Sequence, residues 1–180
     1  SPVRGFGRIA EHARMTSEEL RRGVRVLVVC AGLGAEVAKN LALAGVGSLD
    51  VHDSTPTTHM DLSSSFLLRE EDVGKARGAR ADELLAPLNP YVRVRSVAGP
   101  FEDAAHLRGY TTVVAVDRSM GEVRQLNAAC REAGCKLVVC DSRGAFGRVF
   151  CDFGDEFVVA FPHGAASDPE AIVEAMQREV

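Results

Sequence analysis

The sequence predicts an α/β fold, because short apolar runs alternate with stretches in which apolar residues recur at helical spacing. A glycine-containing turn joins the β-branched run at residues 23–30, "GVRVLVVC", to the helical pattern "AEVAKNLALAG". Residues 147–161 indicate two further strands joined at Gly154–Asp155. We therefore expect a Rossmann-like domain with a mostly parallel sheet, helices on both faces and an antiparallel hairpin at one edge.

The other strands and helices follow from the places where the hydrophobic period changes. The predicted strands after the first are residues 48–53, 91–97, 111–116 and 136–141. The predicted helices are residues 35–45, 71–88, 120–134 and 166–180. Gly45, Asn89–Pro90 and Gly134 mark the ends of the first three helices, because glycine and proline commonly end helical hydrogen bonding.

Composition and charge exclude several classes of protein. The 180 residues are 46% apolar, which is enough for one compact domain. The net charge is −4 and the basic residues are scattered, so neither nucleic acid nor a membrane surface is an expected partner. Since no run of about 18 apolar residues or secretory pattern is present, we expect a soluble intracellular protein.

The cysteines and histidines do not form an evident reactive or metal-binding pattern. The five cysteines sit in apolar runs without a C-x-x-C pair, as is typical of small buried side chains in a reducing compartment. We expect none of them to be an activated nucleophile. The five histidines are too far apart to place two metal ligands on one helix face, and we expect no metal site.

The first strand, turn and helix have the order of a nucleotide-binding unit, but its glycines are incomplete. When the turn is aligned on Gly34, the three fingerprint positions are Val29, Ala31 and Gly34, and Gly32 is a further glycine off the pattern. Side chains at positions 29 and 31 are expected to crowd a phosphate. Asp53 lies about 20 residues further on, where an acid can bind ribose or simply cap a turn. The pattern indicates a nucleotide-binding architecture with a damaged phosphate cradle.

Four longer motifs are more specific than the glycine turn. They are "GLGAEVAKNLALAGV", "DLSSSFLLREEDVGKAR", "LNPYV" and "DSRGAFGRVFCDFGDEF". From about Val24 to Val159 the chain resembles the N-terminal, non-catalytic adenylation half of eukaryotic ubiquitin-activating enzyme. The corresponding subunit of the SUMO-activating enzyme is similar over residues 32–46 but lacks the "DLSS" and "CDFG" signatures.

This resemblance implies a function as part of a larger enzyme. In the family, an active half binds ATP and magnesium and adenylates ubiquitin, which then passes to a catalytic cysteine in another domain. The resemblance implies an inactive, ThiF/MoeB-like adenylation half at residues 1–161 and a C-terminal helix at 162–180. The expected partners are the active half, ubiquitin and, through the parent enzyme, ubiquitin-conjugating enzymes, in cytoplasm and nucleus. This half alone is expected to bind no cofactor and to be inactive.

Individual positions of the family's active site are altered in this chain. Active halves carry Asn-Leu-Asn-Arg-Gln-Phe where this chain has residues 61–66, so the phosphate-binding arginine corresponds to Ser64. The family's catalytic lysine corresponds to Arg77. Asp117 matches the family's magnesium-binding aspartate, although such a residue is more often a helix N-cap or turn residue. Arg4 is the candidate for an arginine that reaches into the partner half's ATP site.

The expected vestigial nucleotide site therefore comprises Gly32, Gly34, Asp53, Ser64, Arg77 and Asp117. Two other functions stay open from the sequence. One is the equivalent subunit for SUMO or another ubiquitin-like protein, and the other is a self-sufficient Rossmann adenylyltransferase or dehydrogenase. The incomplete glycine pattern argues against the last of these. We also expect the isolated chain to self-associate, because the helix at 35–45 is apolar on more than one side.

Overall fold

The computed structural model describes residues 23–29, 32–99, 101 and 103–155. Its strands are β1 Arg25–Val29, β2 Ser48–His52, β3 Arg93–Ser96, β4 Thr112–Val116, β5 Lys136–Arg143 and β6 Phe146–Asp152. Its α-helices are α1 Gly32–Ala44, α2 Ala81–Leu85, α3 Ala104–Leu107 and α4 Met120–Ala133. Short 3₁₀ turns lie at Asp61–Ser63, Glu70–Asp72 and Ala86–Leu88. Among the described helices, none has the length and apolar character needed to span a bilayer.

The six strands form one sheet in the order β3-β2-β1-β4-β5-β6. The neighbours from β3 to β5 are parallel, and β6 is antiparallel to β5. The strand order reverses between β1 and β4, which is where α/β sheets of this kind have their ligand crevice, at the carboxyl ends of the strands. The predicted Rossmann-like sheet with an antiparallel edge is confirmed.

Alternating side chains divide the core into two layers. On β1, Val26 and Val28 belong to the layer covered by α1 and α2, whereas Leu27 and Val29 belong to the layer covered by α3 and α4. This division follows from the two-residue period of a strand. Apolar side chains on both sides of each central strand therefore require helices on both faces, as the sequence predicts.

The two long helices carry clear local signals. The buried residues of α1 are Gly34, Ala35, Ala38 and Ala42, which share one face and let the helix approach the sheet closely. Ser119 caps α4 by accepting a hydrogen bond from the Glu122 backbone, and the Glu122 side chain completes a capping box. Gly134 ends α4 in the left-handed conformation, with φ of 72°.

The predicted helix over residues 71–88 is wrong for most of its length. Only Ala81–Leu85 is α-helical, and residues before it pair with the loop after β2. The Thr57 amide donates to the Lys75 carbonyl at 2.7 Å, and the Gly78 amide donates to the Asp53 carbonyl at 3.0 Å. Gly74 has φ of 87°, which interrupts a right-handed helix. Long-range backbone pairing has replaced the local helix.

An antiparallel hairpin closes one edge of the sheet, but its strands are not the predicted pair. β6 pairs with β5, with Cys140 opposite Val149, and the chain reverses between Arg143 and Phe146. The predicted second strand after Gly154–Asp155 falls outside the described residues. Arg131 of α4 fastens the end of β6 by donating to Asp152 at 2.8 Å.

A buried polar network ties β2 to β3 and to the segment before β4. The Asp50 carboxylate accepts from Arg95 Nε at 2.9 Å, from Arg95 Nη2 at 2.5 Å and from Tyr110 Oη at 2.6 Å. Burial and the hydrogen bond from its hydroxyl to Asp50 raise the pKa of Tyr110 well above its usual value. The carboxylate is fully supplied with donors, so its role is structural.

Candidate functional site

Four of the residues predicted to form a nucleotide site line one cavity near the carboxyl ends of β1 and β2. They are Gly32, Asp53, Ser64 and Arg77. Gly34 is buried within α1, so it serves the packing of that helix. The structure thus brings most of the predicted site together, although the four residues come from segments far apart in the sequence.

Arg77 occupies the centre of this site and is bound by two carboxylates. Its Nε lies 3.0 Å from Asp53 Oδ2, and its Nη1 donates to Asp61 Oδ1 at 2.9 Å. The Arg77 side chain is 20% exposed and that of Asp53 is 2% exposed. Asp53 also accepts from the Thr55 amide at 3.0 Å. Asp53 therefore caps a turn and neutralises Arg77, and neither role leaves its carboxylate open to a ribose.

The electrostatics of the cluster show that its charges are mutually satisfied. Burial alone raises the pKa of Asp61, but hydrogen bonds from Thr58 and the charge and hydrogen bond of Arg77 outweigh it, so the pKa lies below its ordinary value. Burial alone lowers the pKa of Arg77, but Asp61 and Asp53 outweigh it and raise that pKa. The guanidinium is held by internal partners rather than presented to a phosphate.

The serine run at residues 63–65 closes one side of the site with short side chains that bond within their own loop. Ser64 Oγ donates to the Asp61 carbonyl at 3.2 Å, and Ser63 Oγ donates to the Met60 carbonyl at 2.8 Å. A methyl group added at Gly32 would lie 3.4 Å from Ser64 Oγ, so the two segments are in near contact. The loop bonds to itself instead of offering donors to a ligand.

The space left between these residues is too small for a nucleotide. The cavity measures about 20 Å³, and a water molecule needs about 10–15 Å³ on that measure. Leu67 and Leu68 also line it. The residues present therefore do not fit ATP.

The expectation that Val29 crowds a phosphate is wrong. Its side chain packs into the core layer under α3 and α4, on the opposite face of the sheet from this cavity. The obstruction comes instead from the loop at residues 61–68 and from the ion pairs of Arg77.

Asp117 lies apart from this cluster. It has φ of 52°, which is uncommon for a residue other than glycine, and its Oδ1 accepts from the Ser142 amide at 2.9 Å. Arg143 Nη1 lies 3.4 Å from the same oxygen. Asp117 is thus a turn residue, and the N-cap of α4 is Ser119. In the part of the chain that the structure describes, no group of three or more His, Cys, Asp or Glu residues could hold a metal ion.

Two residues at this site were not singled out from their sequence context. The first is Asp61, which accepts a hydrogen bond from Arg77 across 16 positions of the sequence. Gly78 lets the chain pass the β2 loop closely, because a Cβ there would lie 2.8 Å from the Asp53 amide nitrogen. Its sequence signal is only that of a glycine directly after Arg77, in a segment predicted to be helical.

The expectation that all the cysteines are buried holds only in part. Cys130 and Cys135 are buried and Cys140 is half-buried, whereas Cys151 is exposed on β6. The pKa of the Cys130 thiol is raised by its hydrogen bond with Cys135 and by its burial. Cys30 lies outside the described residues.

Several further predictions also fall outside the described residues. These are Arg4 as a cross-site arginine, Ala31 as a crowding residue, the domain end at residue 161 and the helix at residues 162–180. They stay predictions.

Comparisons with known proteins agree with the fold. The family model described as the ThiF family matches residues 7–154. Two solved structures are similar: Escherichia coli MccB with succinimide, with a TM-score of 0.61 and 20% identity over 76% of this chain and 44% of that chain, and PaaA, with a TM-score of 0.60 and 17% identity over 79% of this chain and 48% of that chain. At these identities the likeness shows the fold alone.

Curated relatives are more similar in sequence. Ubiquitin-like modifier-activating enzyme 1 of Rattus norvegicus is 42% identical over 159 residues, or 88% of this chain and 14% of that protein. Ubiquitin-like modifier-activating enzyme 7 of Homo sapiens is 40% identical over 157 residues, or 87% of this chain and 15% of that protein. The chain thus spans about one seventh of the length of these relatives. By the match to residues 7–154, the chain belongs to the ThiF family, as a domain about 40% identical to ubiquitin-like modifier-activating enzymes.

Proposed function

We propose that this ThiF domain is the non-catalytic adenylation half of a ubiquitin-activating enzyme and acts as a scaffold for the active half. The observation that carries the proposal is the closed site: Arg77 is neutralised by Asp53 and Asp61, and the cavity beside it measures about 20 Å³. Nucleotidyl transfer depends on positive charge and space placed against the phosphates. This half supplies neither.

Exposed apolar side chains support a pairing role. Leu33 and Leu43 of α1 and Val149 of β6 are exposed, although each belongs to an element of the core fold. Apolar side chains of this size on regular elements are typical of surfaces that meet another domain. In the proposed enzyme, ATP and magnesium bind in the active half, ubiquitin and ubiquitin-conjugating enzymes meet the assembled protein, and the enzyme works in cytoplasm and nucleus.

The modifier that the parent enzyme activates needs a separate test, because relatives with different names match this chain almost equally. The rat enzyme 1 is 42% identical and the human enzyme 7 is 40% identical. The longer motifs favour ubiquitin over SUMO, because "DLSS" and "CDFG" are present. A panel of ubiquitin and ubiquitin-like proteins, offered to the parent enzyme, decides between them by which one forms an adenylate.

The test of the scaffold role is an ATP–pyrophosphate exchange assay on the purified chain with ubiquitin and magnesium. We expect no exchange above background and no reducible ubiquitin conjugate, while a complete ubiquitin-activating enzyme in parallel gives both. Exchange that persists in the purified chain and disappears on Asp117→Ala would overturn the proposal and make this chain an enzyme in its own right.

A further inference from the structure

A second depression lies at the same edge of the sheet and is open. It is formed between the first turn of α4 and the β5–β6 hairpin, which extends past the end of β4, and we call it the hairpin groove. Its residues include Ser119, Met120, Asp141, Phe146 and Arg148. Its volume is about 390 Å³, within the range of about 300–1,000 Å³ of many ligand sites. The hairpin groove therefore has room for a ligand, whereas the closed site beside Arg77 does not.

In the hairpin groove, two aspartates are more buried than the arginines that they bind. Arg148 Nε donates to Asp141 Oδ2 at 2.7 Å, and Arg143 Nη1 lies 3.4 Å from Asp117 Oδ1. The carboxylates of Asp141 and Asp117 are only 10% and 17% exposed, whereas Arg148 and Arg143 are 48% and 69% exposed. Arg148 Nη1 also donates to Met120 Sδ at 3.2 Å, so the bonds within the protein orient this guanidinium. Because both arginines stay about half exposed or more, their charged groups can also meet acceptors such as the carboxylates of a ligand.

Large apolar side chains border the same arginines. Phe146 is 82% exposed, and Met120 and Phe150 are about half exposed. Phe146, Arg148 and Phe150 alternate along β6, so they lie on one face of the sheet. An inorganic phosphate or the phosphate of a nucleotide would bind the arginines but leave these apolar side chains exposed to water. The occupant that uses both features carries carboxylates beside apolar side chains.

We propose that the hairpin groove is a docking site for a peptide segment of a protein partner in which acidic and apolar residues alternate. The acidic residues meet Arg143 and Arg148, and the apolar residues cover Phe146 and Met120. This surface is separate from the Arg77 cluster, and the proposal does not depend on which modifier the parent enzyme activates. Apolar contact supplies affinity, and the arginines supply orientation and selectivity against basic segments.

The test uses the whole 180-residue chain and a fluorescein-labelled peptide of sequence Glu-Leu-Glu-Phe-Glu-Leu-Glu. Fluorescence anisotropy measures its dissociation constant at two salt concentrations, and amide NMR shifts locate it. We expect shifts at Ser119, Met120 and Gly147 and weaker binding at higher salt. The Arg143→Gln and Phe146→Ala variants should each weaken binding about fivefold or more.

The matched controls separate this site from nonspecific charge. Arg124→Gln removes an exposed arginine from α4 and should leave binding unchanged. A peptide with lysine in place of glutamate should not bind. Equal binding of that peptide, or equal binding of one with serine in place of the apolar residues, would overturn the proposal, as would unchanged affinity in both variants with native far-UV circular dichroism.

Two other occupants are distinguishable outcomes. If the amides of the hairpin groove shift with protein concentration alone, a second copy of the chain fills it and the proposal is wrong. Residues 166–180 carry four acids of their own, Asp168, Glu170, Glu174 and Glu179. A chain ending at Ala165 that binds the peptide about tenfold more tightly would show that this segment competes for the groove, against the assignment to a partner.

Discussion

Replacing Arg77 with methionine is the sharpest perturbation of the closed site. The change removes a guanidinium bound to Asp53 at 3.0 Å and to Asp61 at 2.9 Å, and it keeps an unbranched side chain of similar length. Asp53 is left as a carboxylate that is 2% exposed and has only the Thr55 amide as a described hydrogen-bond donor. The loss should therefore appear in the free energy of unfolding.

The expected magnitude follows from the two halves of the cluster. Breaking a buried pair by removing one partner costs about 3–5 kcal/mol, and the more exposed Asp61 contact contributes at most about 1 kcal/mol. We expect Arg77→Met to lower the free energy of unfolding by about 4 kcal/mol at pH 7. That is a large part of the total of about 5–15 kcal/mol for a domain. Urea denaturation followed by circular dichroism measures it.

The pH dependence has a definite sign. The pKa of Asp61 in the folded protein lies below its ordinary value of 3.8, because hydrogen bonds from Thr58 and Arg77 outweigh the burial that raises it. A carboxyl of this kind contributes stability above the unfolded pKa and loses it as the pH falls through the folded pKa. The part of the difference between the wild type and Arg77→Met that comes from Asp61 should therefore be complete at pH 7 and shrink below about pH 4.

Two further variants make the reasoning refutable. Adding Asp53→Asn to Arg77→Met removes the uncompensated charge and should recover about 1–3 kcal/mol in a double-mutant cycle. Arg124→Met, at an exposed position on α4, should stay within about 0.5 kcal/mol of the wild type. If Arg77→Met also stays within about 0.5 kcal/mol, or the cycle shows no coupling, the cluster does not hold the site closed.

Four other outcomes are expected. Ser64→Arg alone should give no ATP binding by calorimetry at micromolar concentration, because the cavity beside it measures about 20 Å³; measurable heat there would contradict the closed site. Gly78→Ala should cost about 1–3 kcal/mol in urea denaturation, since its Cβ would lie 2.8 Å from the Asp53 amide nitrogen; an unchanged midpoint would show that the loop yields freely. Iodoacetamide at pH 8, read by mass spectrometry, should modify exposed Cys151 well before buried Cys130, whose pKa is raised; equal rates would show local opening of α4. Light scattering of the isolated chain should show self-association through the exposed leucines of α1, Leu33 and Leu43, and a clean monomer at high concentration would count against it.

Much of the architecture is local in origin and could be predicted from the residues. The β-branched runs and the helical spacing of α1 and α4 specify strands and helices because their side chains have periods of 2 and 3.6. Gly134 marks the end of α4 for a local reason, since it takes the left-handed conformation there. The prediction of a helix over residues 71–88 was wrong because long-range contacts decide the structure there. Residues 74–78 pair with the loop after β2, and the pattern of neighbouring residues carries no information on such hydrogen bonds.

The functional site divides in the same way. The prediction that Ser64 and Arg77 replace residues of an active adenylation half rests on the family resemblance of the sequence at matched positions. Only the tertiary structure decided how the site is closed, since Arg77 finds Asp61 and Asp53 across separations of 16 and 24 residues. It also decided that Val29 points away from the cavity and that Cys151 is exposed, because burial depends on which helix covers a strand and which strand lies at the sheet edge. Local chemistry thus determined the helices and strands, and the packing of distant segments determined what Ser64 and Arg77 contact.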